Sequence, residues 1–118
     1  MRAKDLLGRN GEALAADFLE NQGMRIVDRN WRCRDGEIDI VAIEGNTLVV
    51  AEVKTRKSLD YGHPFEAVGA TKLARLYRLS SLWCREHDLK ALRRRIDVVS
   101  VIDSGFGEPF LEHLRGVL

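Results

Sequence analysis

The stretch Gly36–Arg56, GEIDIVAIEGNTLVVAEVKTR, decides the fold. Ile and Val crowd both of its halves, as strands favour. Gly45-Asn46 separates the halves, and glycine accepts the positive φ that a two-residue hairpin turn needs. With these two as the turn, Glu44 faces Thr47, Asp39 falls directly opposite Glu52, and Glu37 falls opposite Lys54. Side chains alternate along a strand. One face therefore carries Glu37, Asp39, Val41, Ile43, Leu48, Val50, Glu52 and Lys54. The other carries Ile38, Ile40, Ala42, Val49, Ala51 and Val53. Both faces are largely apolar, which predicts a central strand pair covered on both sides.

Outward from the hairpin, Asp35-Gly36 forms a turn, and a short strand is expected near Met24–Arg34. A helix is predicted over Ala3–Gln22, ended by Gly23. Its apolar stripe joins Leu7, Gly8, Gly11, Leu14, Ala15, Phe18 and Leu19, with Glu12 at the edge. Downstream, Arg56–Pro64 reads as a loop and Pro64–Val68 as a short turn of helix. A second helix follows over Thr71–Asp88. Arg93–Arg95 reads as a basic turn before a strand at Ile96–Ile102, and the tail from Phe106 adds a final short element. The order αβββαβ predicts an α/β fold with a central mixed sheet flanked by helices.

A chain of 118 residues suits one domain, here 1–118, with a single core. The hydrophobic fraction of 45% and charged fraction of 31% are those of an ordinary globular protein. The net charge of +1 excludes gripping nucleic acid by bulk charge, so any such contact must come from local patches. Cys33 and Cys84 lack partners at metal-ligand spacing, and His63, His87 and His113 are scattered, which argues against zinc. Cys84 falls on the apolar side of the second helix, as a buried free thiol would. The N-terminus shows no apolar signal region and no stretch has membrane-spanning length, so a cytoplasmic protein with no membrane contact is expected.

The chemistry concentrates where Asp39 meets Glu52. Opposed carboxylates would lie roughly 5 Å apart and repel, and burial raises that cost unless a cation or proton intervenes. Mg²⁺ commonly binds through one or two carboxylates and keeps several waters. Lys54 points to the same place, where a cation can hold a phosphate or orient water. These are the parts of metal-assisted phosphodiester hydrolysis. On this reading, neutralising either carboxylate in metal-free protein should stabilise the fold. The plainer reading makes Glu37 and Lys54 a cross-strand ion pair and leaves Glu52 at a wet edge. Lys72 lies within the apolar arc of the second helix, near a helix N-terminus that favours phosphate. A lysine snorkelling from a helix start would look the same. Arg56 and Lys57 leave the strand directly and are candidate phosphate contacts. Arg75, Arg78 and Arg85 read as a solvated outer face. Asp97 opens its strand and reads as structural, and Trp31 and Trp83 read as core or rim residues.

Several motifs together resemble the YraN family of small bacterial proteins. They are Gly8-x-x-Gly11-Glu12, Gly36-Glu37-Ile38-Asp39, Glu52-Val53-Lys54-Thr55-Arg56, Gly62, Val68, Lys72 and Ile96-Asp97-Val98-Val99. That family is similar to the PD-(D/E)XK, or restriction-endonuclease-like, superfamily and to archaeal Holliday-junction resolvases. The resemblance implies an Mg²⁺- or Mn²⁺-dependent endonuclease acting on DNA, branched or processed DNA included. Asp39, Glu52, the Val53 carbonyl and Glu12 would be metal ligands, Lys54 would activate or position water, and Lys72 would support a phosphate. The chain departs from the superfamily pattern in placing Ile38, not proline, before Asp39. Two rival readings keep the fold: a nucleic-acid-binding module without cleavage, and a structural protein whose carboxylates only form ion pairs. Cutting a duplex or junction at two positions would require a homodimer.

Overall fold

A computed structural model describes residues 3–58, 65, 68–89 and 93–118, with side chains from residue 10 onward. Leu7 and Gly8 of the expected stripe, His63, Gly62 and the expected turn at Pro64–Val68, apart from Phe65 and Val68, lie outside these descriptions. The chain order is α1 (Ala3–Asn21), β1 (Arg25–Cys33), β2 (Gly36–Glu44), β3 (Thr47–Arg56), α2 (Ala70–Glu86), β4 (Arg93–Ile102) and β5 (Phe110–Leu114). The five strands form one sheet in chain order. Only β3 and β4 run parallel, and α2 supplies the crossover between them. The expected mixed α/β layout is therefore present, consistent with a restriction-endonuclease-like arrangement.

Local chemistry explains the element ends. Gly23, at φ 96°, closes α1 while Gln22 N–H donates to the Phe18 carbonyl. Gly45, at φ 61°, makes the β2–β3 turn, and the ladder runs in the predicted register from Glu44↔Thr47 to Ile40↔Ala51.

Two helices cover the two faces of this sheet. Ala15, Ala16 and Leu19 of α1 pack on Ile40, Ala42, Val49 and Ala51. Leu76, Leu79 and Trp83 of α2 pack on Val41, Leu48, Val50 and Ile96. The alternation predicted from sequence holds from Ile40 to Ala51 but fails at Ile38, which joins the α2-side cluster instead of following Ile40. The Arg93–Arg95 run is not a turn: it opens β4 and pairs with Thr47–Val49. Arg94 and Arg95 can be extended there because their charges are met laterally. Arg94 lies 4.3 Å over the Tyr77 ring and donates to Ser80 and Ser81, while Arg95 pairs with Glu44 and Asp97. Trp83 is buried, with its indole N–H donating to Asp28 at 2.8 Å. Cys84 is a free, half-buried thiol packed against the α2-side core. Among the described residues no helix is long and apolar enough to cross a membrane.

Candidate functional site

Beyond Ile40↔Ala51 the β2–β3 ladder stops, one residue before the predicted opposition of Asp39 and Glu52. The cause is a side chain. Asp39 Oδ2 accepts the Val53 backbone N–H at 2.9 Å. A carboxylate thus stands where a ladder carbonyl would otherwise accept. Asp39 and Glu52 still share one cleft of about 260 Å³ on the α2 side of the sheet. Glu37, Lys72 and Arg75 complete its polar lining, with Gly36, Leu76 and Leu79 beside them. Gly36 has φ 145°, and a Cβ on it would come within 3.3 Å of Leu79 Cδ1.

Glu52 is 7% exposed and receives two ammonium groups on the same oxygen. Lys72 Nζ lies 2.6 Å from Oε1, and Lys54 Nζ lies 3.3 Å from it. The α2 lysine therefore points inward, as its place on the apolar arc predicts. The alternative Glu37–Lys54 pair does not form, because Glu37 accepts from Arg32 Nε at 3.0 Å on neighbouring β1. Ion pairing at Glu52 also changes one expectation. This carboxylate has cationic partners, so its neutralisation should not stabilise the fold as that of Asp39 would.

The two lysines shift apart. Burial, then the neighbouring Lys72 ammonium, lowers the Lys54 pKa despite the attraction of Glu52. Burial acts most strongly, to lower Lys72, but its bonds to Glu52 and Lys54 and the charges of Glu52 and Asp39 together outweigh this and leave it raised. Asp39 is pushed up to about 7, first by burial and then by the charge of Glu52, against the lowering effect of the Val53 N–H. Like charges and desolvation both disfavour its ionised form.

Glu12 approaches from α1, on the other face of the sheet. Gly11 permits this approach, since a Cβ there would collide with the Thr55 side chain at the end of β3. Burial raises the Glu12 pKa, and the charges of Glu37 and Glu52 raise it further. Glu12 is thus within the electrostatic reach of the site but does not line the cleft. Val53 is half-buried, packed against the α1-side core. Arg56 donates to the Thr55 carbonyl at 3.0 Å, and Lys57 is exposed; neither lines the cleft.

Three residues near the site escaped the sequence reading. Arg75, assigned there to a solvated face, lines the cleft; its spacing of one helical turn from Lys72 was the available signal. Ser100 pairs with Lys54 across the parallel β3–β4 ladder, and its hydroxyl is fully buried without a hydrogen-bond partner. Nothing in the sequence specifies that register. Asn30 on β1 is close to Glu12, with a left-handed backbone at φ 53°.

These features define an α/β protein with a mixed five-stranded sheet between two helices and a buried acid–lysine cleft on one face. The chain belongs to the uncharacterised protein family UPF0102, the YraN family, whose model matches residues 11–101. It is 86% identical over 117 residues to a UPF0102 protein of Paenarthrobacter aurescens (strain TC1), covering 99% of this chain and 97% of that one. A UPF0102 protein of Arthrobacter sp. (strain FB24) is 73% identical, with 99% of each chain covered. One from Leifsonia xyli subsp. xyli (strain CTCB07) is 46% identical over the full length of both.

Proposed function

We propose that this protein is a metal-dependent nuclease that hydrolyses phosphodiester bonds in DNA. The observation that carries this reading is the convergence of Asp39 and Glu52 on one cleft, with Lys54 and Lys72 both reaching Glu52. Among the described residues, no three acidic, His or Cys side chains are grouped to hold an ion by themselves. Two oxygen-donor carboxylates still fit Mg²⁺ or Mn²⁺, hard cations that leave most of their shell to water and phosphate. Asp39 and Glu52 would hold the ion, with the Val53 carbonyl and Glu12 as further oxygen donors. When bound, the ion polarises the phosphate and lowers the pKa of its water.

The side chains divide the remaining work. Lys54 has a lowered pKa, which suits it to take a proton from, or orient, the attacking water. Lys72 keeps its charge and can neutralise a phosphate oxygen once it shares Glu52 with a cation. Arg75, at the cleft, adds a fork of donors that matches phosphate. Arg56 and Lys57 would meet flanking phosphates outside the cleft. Cleavage at two positions would need a second copy of the chain.

One observation favours a different reading. The two ammoniums on Glu52 already balance its charge, as a nucleic-acid-binding module without cleavage would have it. Mn²⁺-dependent cleavage of linear, flapped and four-way DNA separates the two. Lys54→Ala should lower any such cleavage by about 10²-fold or more while calorimetry still records Mn²⁺ binding. Full activity in that variant would remove Lys54 from the mechanism.

A further inference from the structure

The β1–β2 turn and α2 meet at one end of the cleft. Gly36 and Arg75 line that end, and a Cβ built on Gly36 would lie 3.8 Å from Arg75 Cδ. One helical turn on, Arg78 donates to Asp35 at 2.7 Å. Arg34 is exposed in the same turn. The neighbouring Arg32 and Glu37 pair off with each other at 3.0 Å. Three arginines thus share this corner with a single further carboxylate, Asp35. A chain of net charge +1 acquires this local excess only where residues 34–36 and 75–78 come together.

The cations of α2 are arranged from the inside outward. Lys72, Arg75 and Arg78 recur every three residues, a rise of about 4.5 Å per step along a row that winds around the helix. The Lys72 side chain is 37% exposed and held by Glu52, whereas that of Arg78 is 66% exposed. Arg75, between them, is exposed and has no acidic partner within ion-pair distance among the described residues, and neither has Arg34. Asp35 engages Arg78 only loosely, since an exposed pair is weak and a guanidinium keeps further donors for a second anion. The row therefore begins inside the cleft and ends on the surface beside the turn.

We propose that Arg75 and Arg78 of α2, with Arg34 of the β1–β2 turn, form a track for the phosphate backbone of a DNA strand leaving the cleft past Gly36. The inference rests on the nuclease reading above for the kind of ligand, and it needs no metal. It gives the strand a direction, from Lys72 outward over Arg75 to Arg78 and Arg34. The spacing suits a repeating anion: steps of about 4.5 Å along the row are of the same scale as the rise between phosphates of one strand, about 3.4 Å. Arginine forks grip phosphate oxygens and read no bases, so the track holds any sequence.

Fluorescence anisotropy with a labelled single-stranded DNA oligonucleotide, in EDTA and over a range of KCl, tests this apart from catalysis. Each phosphate contact removed should make the slope of log affinity against log salt shallower by about 0.7, which is about fivefold in affinity at ~0.1 M salt. Arg75→Ala and Arg78→Ala should each lose that much. Combining Arg34→Ala, Arg75→Ala and Arg78→Ala should remove about 2 from the slope. Thermal melts should match the wild type, since the replaced side chains are exposed, and Arg75→Lys, which keeps the charge, should keep the slope. Arg25→Ala is the control: Arg25 is exposed at the other end of β1, opposite Ile43, and its loss should leave affinity nearly unchanged. A loss in Arg25→Ala equal to that in Arg75→Ala would overturn the track in favour of bulk charge. A triple variant that binds like the wild type, or a wild type that cleaves DNA in Mn²⁺ yet binds none in EDTA, would overturn the track and leave the nuclease reading standing. A wild type that neither binds nor cleaves DNA would overturn both.

Discussion

Two aspartates in this sheet, Asp97 buried and Asp39 half-buried, have opposite electrostatic fates. Asp97 on β4 is fully buried and surrounded by donors. Arg95 reaches it from Nε at 2.8 Å and from its terminal nitrogen at 3.2 Å, His113 Nε2 lies at 2.7 Å, and Gly116 N–H donates at 2.9 Å. Its pKa is lowered, because the His113 and Arg95 bonds and the Gly116 N–H outweigh the cost of burial. Asp39 on β2 has one backbone N–H and the charge of Lys72 in its favour, but burial and the charges of Glu52, Glu12 and Glu37 prevail, and it is raised to about 7. Burial pushes both carboxyls upward, so the difference lies in what surrounds them. Asp97 is completed by the protein. Asp39 is left needing a proton or a cation from outside.

The Asp97 cluster therefore belongs to the architecture. Arg95 also pairs with Glu44, which accepts from Arg115 at 2.6 Å. The tail returns along β4, with Val117 N–H donating to the Ile96 carbonyl and Ile96 N–H donating to Leu118. One aspartate thus ties β4, β5, the tail and the β2–β3 turn together.

Removing that carboxylate should have the largest effect. Asp97→Asn leaves Arg95 without its main counter-charge and should cost about 3 kcal/mol in denaturant unfolding. Divalent metal should restore none of it. A loss recovered by Mn²⁺ would erase the contrast between the two sites. Glu52→Gln should fall next. It leaves the partly buried Lys54 and Lys72 ammoniums facing a neutral amide and should lower stability by about 2 kcal/mol in EDTA. Stabilisation by this variant would mean that repulsion from Asp39 dominates over both lysines.

That expected loss reverses what the sequence suggested for Glu52, and the reason is specific. A hairpin register can be read from Gly45-Asn46 and the Ile/Val alternation, because turn chemistry and period two are local. It correctly brought Asp39, Glu52 and Lys54 together. Lys72 was also legible, from its place on the apolar arc of α2. Which cation would serve which carboxylate was not legible, because that depends on how α2 lies across the sheet. Glu37 turned to Arg32, its partner in the β1–β2 ladder, and left Lys54 to Glu52. The halt of the ladder at Ile40↔Ala51 depends on an aspartate capturing a backbone N–H fourteen residues away, which no periodicity announces. The Arg93–Arg95 run misled because a charge run in isolation looks like a turn; besides Asp97 on the same strand, its partners Glu44 and Tyr77 come from two other parts of the chain.

The smallest expected effect bears most directly on the central claim that Asp39 awaits a cation. Its folded pKa of about 7 lies above the unfolded value near 4, so the folded state holds the extra proton between them. The stability this gives is therefore lost as pH rises through that window, and the full cost of ionising Asp39 is felt above pH 7. Asp39→Asn keeps an acceptor for the Val53 N–H and removes the charge. Melting both proteins at pH 5 and pH 8, in EDTA and in Mn²⁺, is the deciding measurement. In EDTA the variant should be more stable at pH 8, by on the order of 1 kcal/mol, with a smaller advantage at pH 5. Mn²⁺ should raise the melting temperature of the wild type and have much less effect on the variant. A variant that melts lower at both pH values, with no Mn²⁺ shift in either protein, would show Asp39 to be a structural carboxylate like Asp97 and contradict the account.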